Sequence, residues 1–486
     1  MSLASCPRCG APIHFPIGSG ATVVCASCKS VVARTDRGLE PLGQVADVSR
    51  GDASLAIGDK GKAGGHSFTV AGVINFAHTA GGSWEEYTVY VGDALYVLSH
   101  AQGRWALLSA VAPQVFEPPA IGALRVGADV VFGPFGRFRV AEIGKGTMTG
   151  GEGELARGAS PDAPVLFVDL DGEGDAVASI DYGDGTKPPV AYVGTKMAFA
   201  ALQITRAGIA RGEHAATKSY TCPNCGAPLD LLTGAAALSV SCKYCGTVSE
   251  PEGAKIVSKI DLAGRSSDIP LGTKGKLRGV EWTVVGYMTR SATEDGDTYS
   301  WQEYLMYEIG QGFAWLVQDD EGYWLSVGVS SAEMSDVENG RSLTFRGQRY
   351  RMRNATRATV LFVIGEFYWK VRVGESVIMT DYVCKPLKGA QMGLAQEASG
   401  DEVNWSHSQK LDASEVQAAF GIAMKAAAPG NKGLSPVEIF IVVVLLLIVI
   451  SIIGAVLDNG CTGGGGGGGS SYGGVRGGFG GGFGGK

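Results

Sequence analysis

A chain of 486 residues exceeds what one hydrophobic core sustains, about 250–300 residues, so two or more domains are expected. Its net charge of −7 and pI of about 5.5 leave no basic footprint for a phosphate backbone, which disfavours nucleic acid as a partner. Apolar residues make up an ordinary 45%, but the 74 glycines are twice the usual share of about 7%, and seventeen of them lie between Gly460 and Lys486.

The first element, residues 1–37, is a four-cysteine array: Cys6, Cys9, Cys25 and Cys28 stand as Cys-x2-Cys-x15-Cys-x2-Cys. Each two-residue gap lets a tight knuckle turn two thiolates inward, and a hairpin returns the second knuckle to complete a tetrahedron around zinc, at about 2.3 Å per sulfur. The same ligand set serves iron in a rubredoxin-like site, and disulfides are the remaining alternative. The array starts so early that no basic stretch and apolar run precede it, so no cleavable signal peptide is expected and reduced thiols are. With all four positions taken by cysteine the ion is expected to be structural, stabilising a segment too short to bury a core. Arg8, Lys29, Arg34 and Arg37 against Asp36 and Glu40 give this ribbon little pull on nucleic acid.

Residues 50–212 follow as a β-rich module, since short aromatic and β-branched runs such as Glu86 to Leu98 and Trp105 to Val111 are separated by glycine turns. The acidic run Asp169 to Asp175 reads as a hairpin turn and not a calcium loop, because Ile180 stands where a bidentate glutamate belongs. Apolar positions three and four apart predict a helix over roughly Lys196 to Arg211. A second ribbon, 219–250, then repeats the array with Cys222, Cys225, Cys242 and Cys245, and a second β-rich module, 265–425, ends in a predicted helix over Ala413 to Lys425.

The chain is thus duplicated. Cys6-Pro7-Arg8-Cys9-Gly10-Ala11-Pro12 returns as Cys222-Pro223-Asn224-Cys225-Gly226-Ala227-Pro228, and Trp84-Glu85-Glu86-Tyr87 as Trp301-Gln302-Glu303-Tyr304. Gly103-Arg104-Trp105 is matched to Gly322-Tyr323-Trp324, Gly153-Glu154-Leu155 to Gly365-Glu366-Phe367, and Asp181-Tyr182 to Asp381-Tyr382. The repeated tryptophans are expected to fill the cores. The carboxylates Glu154 with Asp181, and Glu366 with Asp381, could in principle share a pocket for acid-base work; glycine turns followed by strand-end tyrosines are the simpler explanation.

Residues 435–457 close the folded part. Ile439 to Leu457 carry no charge over nineteen residues, enough to span a hydrocarbon core of about 30 Å, and Ser435-Pro436-Val437-Glu438 is a capping box with proline at the first helical position. A single transmembrane helix is expected. Lys425 and Lys432 precede it and Asp458 follows, which places the bulk of the chain on the cytoplasmic side of an inner membrane with the tail outside. The tail, 458–486, is mostly glycine and cannot pack a core; Cys461 at its start reads as an unpaired thiol, or as a site of cross-linking or acylation. No phosphate-binding loop, nucleophile elbow or His-Glu-x2-His motif occurs, and no catalytic residue is assigned.

Through the Gly-Glu-Leu/Phe, Asp-Tyr and Trp-x-Glu-Tyr elements, Asn404-Trp405-Ser406 and the glycine-rich end, the chain resembles a bacterial family named domain of unknown function 4178. The resemblance implies ribbons, a membrane helix and a Gly/Ser-rich tail, and an association with genes for polyamine aminopropyltransferase-like enzymes. The first copy departs from it in lacking a Trp-Ser element. The fold expected is mainly β: two tandem copies of a four-cysteine zinc ribbon and a β-rich sheet or barrel with a terminal helix, then one membrane span. The function expected is a non-enzymatic adaptor at the inner membrane, with two structural Zn2+ ions and protein partners; the alternatives are a β module that takes a small cationic ligand through paired acids and, third, a nucleic-acid-binding ribbon protein.

Overall fold

The computed structural model describes residues 2–421, except 16–21, 36–37, 49–53, 80–81, 102, 157–160, 162, 208–218, 234–236, 252–253, 263–266, 295, 337–338, 385–388 and 400–401. The predicted membrane span, the tail and Cys461 therefore lie outside the described residues. Among the described residues no helix is long and apolar enough to cross a membrane.

Each β-rich module is a ring of eight antiparallel strands. In the first they are β1 (His66–His78), β2 (Ser83–Val91), β3 (Ala94–Ala101), β4 (Arg104–Val111), β5 (Arg137–Leu155), β6 (Val165–Asp171), β7 (Ala176–Gly183) and β8 (Val190–Met197). Two four-stranded meanders, β1 to β4 and β5 to β8, join where β4 pairs with β8 and β5 with β1, and the ring closes. The second module repeats this with β9 (Val280–Glu294), β10 (Asp297–Glu308), β11 (Gly312–Asp319), β12 (Gly322–Val329), β13 (Gln348–Phe367), β14 (Ser376–Cys384), β15 (Met392–Ser399) and β16 (Glu402–Leu411). There β12 pairs with β16 and β13 with β9. Closure leaves no free edge, the usual liability of an all-β sheet.

The pleat sends alternate side chains inward. Trp84 on β2 meets Phe167 on β6 across the lumen, ring centroids 5.2 Å apart, whereas Tyr87 and Trp105 stack on the outer face beneath Leu55, Phe199 and Leu202. The crossover from β4 to β5 covers the other outer face with Leu124 and Phe132. In the second module the covering part is α1 (Ala413–Phe420), whose Val416 and Phe420 are buried.

Two helical expectations need correction. Lys196 and Met197 end strand β8, opposite Ala106 and Trp105, and among the described residues through 207 only a 3-10 turn, Phe199–Leu202, follows; barrel closure outweighs the apolar spacing that suggested a helix, whose last residues, 208–211, lie outside the described residues. The later helix runs from Ala413 to Phe420 and is capped by Gly421, which adopts a left-handed φ of 65°; residues 422–425 of the predicted helix lie outside the described residues.

Two of the motif correspondences also shift. Following the registers around both rings, Trp105 (opposite His100) corresponds to Tyr323 (opposite Gln318), and Ala106 to Trp324. The two hairpins are equally long, Ala101 opposite Arg104 and Asp319 opposite Gly322, so the indoles stand one register position apart, Trp105 on the outer face and Trp324 on the inner one. Likewise Asp381, opposite Asn354 beside a bulge, corresponds to Asp169, opposite Glu142 beside a bulge, while Asp181 corresponds to Glu397.

The barrels touch. Arg139 on β5 donates to Asp129 at 3.0 Å and to the carbonyls of Ser331 and Met334 at 3.2 and 3.1 Å, and the Ser331 amide donates to Asp171 at 3.1 Å. A single bridge, Glu142 to Glu402, joins β5 to β16.

The long strand of each ring is shared by several partners, and glycines make that feasible. A Cβ on Gly72 would sit 1.9 Å from the Glu154 carbonyl oxygen, and one on Gly286 would lie 2.6 Å from that of Glu366. Replacing Gly72 by Ala is expected to destabilise the protein by about 3 kcal/mol in urea unfolding, by overpacking against backbone. Gly122→Ala, with open space around its Cβ, should stay within about 0.5 kcal/mol.

Candidate metal centres and barrel interior

In each ribbon two knuckles face each other. The amides of Gly10 and Lys29 donate to the carbonyls of Cys6 and Cys25 at 2.9 Å, and those of Gly226 and Gly246 to Cys222 and Cys242 at 2.9 and 2.8 Å. All four residues have positive φ, which three satisfy with glycine and the fourth with Lys29 at 59°. The sulfurs of Cys6 and Cys28, and of Cys9 and Cys25, are 3.7 Å apart, as are those of Cys222 and Cys245, and of Cys225 and Cys242. Each set converges within 4.8 Å and could hold a metal ion. The Ser30 hydroxyl, 3.2 Å from Cys28, helps pull that thiol down to about 6. The Asn224 amide, together with the Thr247 hydroxyl, draws Cys245 down to about 5. Both thiols are thereby biased toward the thiolate a metal requires.

The ribbons are hydrogen-bonded to the barrels. Residues 22–24 pair with β5 at Gly153 to Leu155, and 239–241 pair with β13 at Gly365 to Phe367. This explains the duplicated Gly-Glu element. Glu366 accepts from the Leu232 and Thr233 amides at 2.5 and 2.8 Å and from the Thr233 hydroxyl at 2.6 Å, so it clamps the ribbon; burial nonetheless holds its carboxyl above the usual range. Glu154 accepts from the Tyr90 hydroxyl at 2.7 Å. Asp181 instead accepts from the Gly183 amide at 2.8 Å, and Asp381 sits on β14 opposite Asn354. The expected acid pairs therefore have separate partners, and the tryptophans expected in the cores, Trp84, Trp105, Trp301 and Trp324, are all buried.

The two lumens differ. In both, the indole of the Trp-x-Glu element donates to the glutamate, Trp84 to Glu86 at 3.0 Å and Trp301 to Glu303 at 2.6 Å. In the second barrel Arg290 enters between acids, its Nη1 2.5 Å from Glu397 and its Nε 3.6 Å from Glu303, all three nearly fully buried. Phe76 stands at the corresponding place in the first barrel, stacked on Trp84. Further along, Trp324 fills the second lumen under Lys410, its ring centroid 5.2 Å from the ammonium, where the first has Ala106.

That exchange leaves a cavity of about 150 Å³ in the first barrel. Ser99, Ala106, Glu142, Asp169, Asp171 and Lys196 are among its walls, and Ser331, Glu402 and Trp405 of the second module lie across its mouth. Lys196 is held 2.7 Å from Asp171; burial pushes that carboxyl up, but Lys196 and the Ser331 amide outweigh it and keep it below its ordinary value. His78 lies 3.0 Å from Glu142. Glu142 and Glu402 carry no local motif, and Asp169 entered the sequence reading only as the start of a turn.

Burial, then the neighbouring acids Glu321 and Asp320, raise Asp319 to about 7 despite the Trp324 indole that donates to it. Between about pH 4 and 7 the folded chain then holds a proton that the unfolded chain has released. This contribution favours folding at the acid end and is lost as pH rises through 7. A carbon-detected NMR titration of Asp319 should show a midpoint near 7, and Asp319→Asn should flatten the fall in melting temperature over that range.

No curated protein and no solved structure matches the chain. The family described as domain of unknown function (DUF4178) matches residues 56–199 and 270–413, the two barrels from the approach to β1 through β8 and from the approach to β9 to the end of β16. With more than half its length so matched, and matched twice in tandem, the chain belongs to that family.

Proposed function

We propose that the chain is a non-catalytic binding protein whose first barrel takes up a small polar molecule, with two structural zinc ions stapling the ribbons to the barrels. The observation that carries this reading is the cavity behind Ala106, at the place where the sister barrel is filled by Trp324. A duplicated domain that keeps a lumen in one copy and fills it in the other has separated a binding copy from a supporting one. The volume is that of a site for a molecule of about six heavy atoms, since cavities near 150 Å³ admit benzene.

A tetrahedral four-thiolate ion is supported by the sulfur spacing. Four sulfurs at about 2.3 Å from one ion stand about 3.8 Å apart along a tetrahedron's edges, and the observed separations are 3.7 Å. With every position a cysteine, such ions stabilise the fold and leave no site for substrate. Residues 439–457 would anchor the assembly with its bulk on the cytoplasmic side. A second reading, a protein adaptor at the membrane, is favoured by Val115, Val131 and Phe135, exposed on the crossover loop of the first barrel.

Metal analysis of the purified full chain should give two zinc ions per chain; iron, or no metal, would overturn the zinc assignment. Ligand-observed NMR with a panel of cationic, neutral and anionic fragments of about six heavy atoms tests the lumen. At least one fragment should bind the wild type and not Ala106→Trp, with melting curves confirming that the variant folds. Ala101→Leu supplies a second filled lumen. If no fragment distinguishes wild type from either variant, the binding reading fails.

A further inference from the structure

We infer that the ligand of the first barrel is a small organic cation, a protonated amine or guanidine, held jointly by both modules. The inference rests on the binding reading above and adds the ligand's chemical class.

Charge comes first. The cavity is faced by four carboxylates, Glu142, Asp169, Asp171 and Glu402, against two fixed cations, Arg104 and Lys196, a formal excess of two negative charges. Asp171 is paired with Lys196 and the Ser331 amide. Glu142, Asp169 and Glu402 form one wall: Glu142 and Asp169 face each other across β5 and β6, and Glu402 is the bridge partner of Glu142. Cross-strand carboxylates repel, and a cation between them relieves that cost. His78 beside Glu142 offsets one of them when protonated. Arg104 stands at the exposed rim in the field of Asp171 and Glu402.

The remaining lining agrees. Trp405, beside Glu402 on β16, faces the cavity and offers an aromatic surface to a cation. Ser99 lines the same space; it is 2% exposed, and its hydroxyl has no hydrogen-bond partner among the described residues, so an acceptor or donor is waiting for a polar group. The carboxylates do not converge as ligands of a metal ion do: among the described residues only the two cysteine sets bring three or more donor atoms within 4.8 Å. A cation with an organic body fits the cavity and its charge together.

Glu402 and Trp405 come from the second module, so the site is complete only when the barrels are docked. The class of ligand therefore predicts a dependence on a residue far from the first barrel in sequence.

The test uses three isosteric probes, n-pentylammonium, 1-pentanol and pentanoate, titrated into the full chain in detergent and followed by calorimetry. Pentylammonium should bind one per chain, and the other two should be at least tenfold weaker. Asp169→Asn and Glu402→Gln, which keep side-chain shape, should each weaken pentylammonium at least tenfold with unchanged melting temperature, and Ala106→Trp should abolish its binding. If pentanol or pentanoate binds as well as the amine and is lost in Ala106→Trp, the lumen binds ligands but the cation assignment is overturned. Should none of the three respond to Ala106→Trp, the binding reading falls with it. Equal amine affinity in wild type, Asp169→Asn and Glu402→Gln would also overturn the assignment.

Discussion

One long strand in each unit, β5 or β13, has to hydrogen-bond in turn to several partners, among them its meander neighbour, the first strand of the barrel, and a strand of the preceding ribbon. An extended backbone has only two edges, so the exchange between partners must occur within a few residues. It does so where Gly72 crosses Gly153 and Gly286 crosses Gly365, at a distance that no side chain on the inner face could share. Barrel closure, ribbon docking and the inward aim of the acids on β5 and β6 all follow from that crossing. The glutamate after each crossing glycine is fixed by its surroundings, to a tyrosine in one copy and to the ribbon backbone in the other.

Much of this was legible in the sequence because it rests on local geometry. A knuckle needs two cysteines two residues apart and a residue tolerant of positive φ, and those three features sit within five positions. The tandem repeat and the β character are carried by runs of aromatic and β-branched residues that occur in both copies. Trp-x-Glu is also local, since the pleat returns side chains two apart to one face, where indole and carboxylate meet.

The rest depends on pairings between distant strands. Matching Trp105 to Trp324 by eye ignores a one-residue offset along the strand, yet that offset decides whether an indole covers the barrel or fills it. Asp181 and Asp381 share a following tyrosine and nothing else, because their registers set them on different strands. The cavity has no motif at all: it arises from alanine opposite a tryptophan in the other copy, from Glu142 and Asp169 in register, and from Glu402 arriving out of the second module. Lys196 and Met197 show the reverse error, helical spacing overruled by the need of β4 for a partner.

The docking of each ribbon on its barrel has a consequence for the chain deprived of metal. The short strands 22–24 and 239–241 bury the last three positions of β5 and β13, and on the proposed metal assignment a ribbon of this size would hold its shape through its four thiolates. Without the ion those positions become bare sheet edges beside the glycine crossings, the kind of surface on which another chain adds a strand. Metal starvation would then appear as self-association seeded at two defined places, long before either barrel had unfolded.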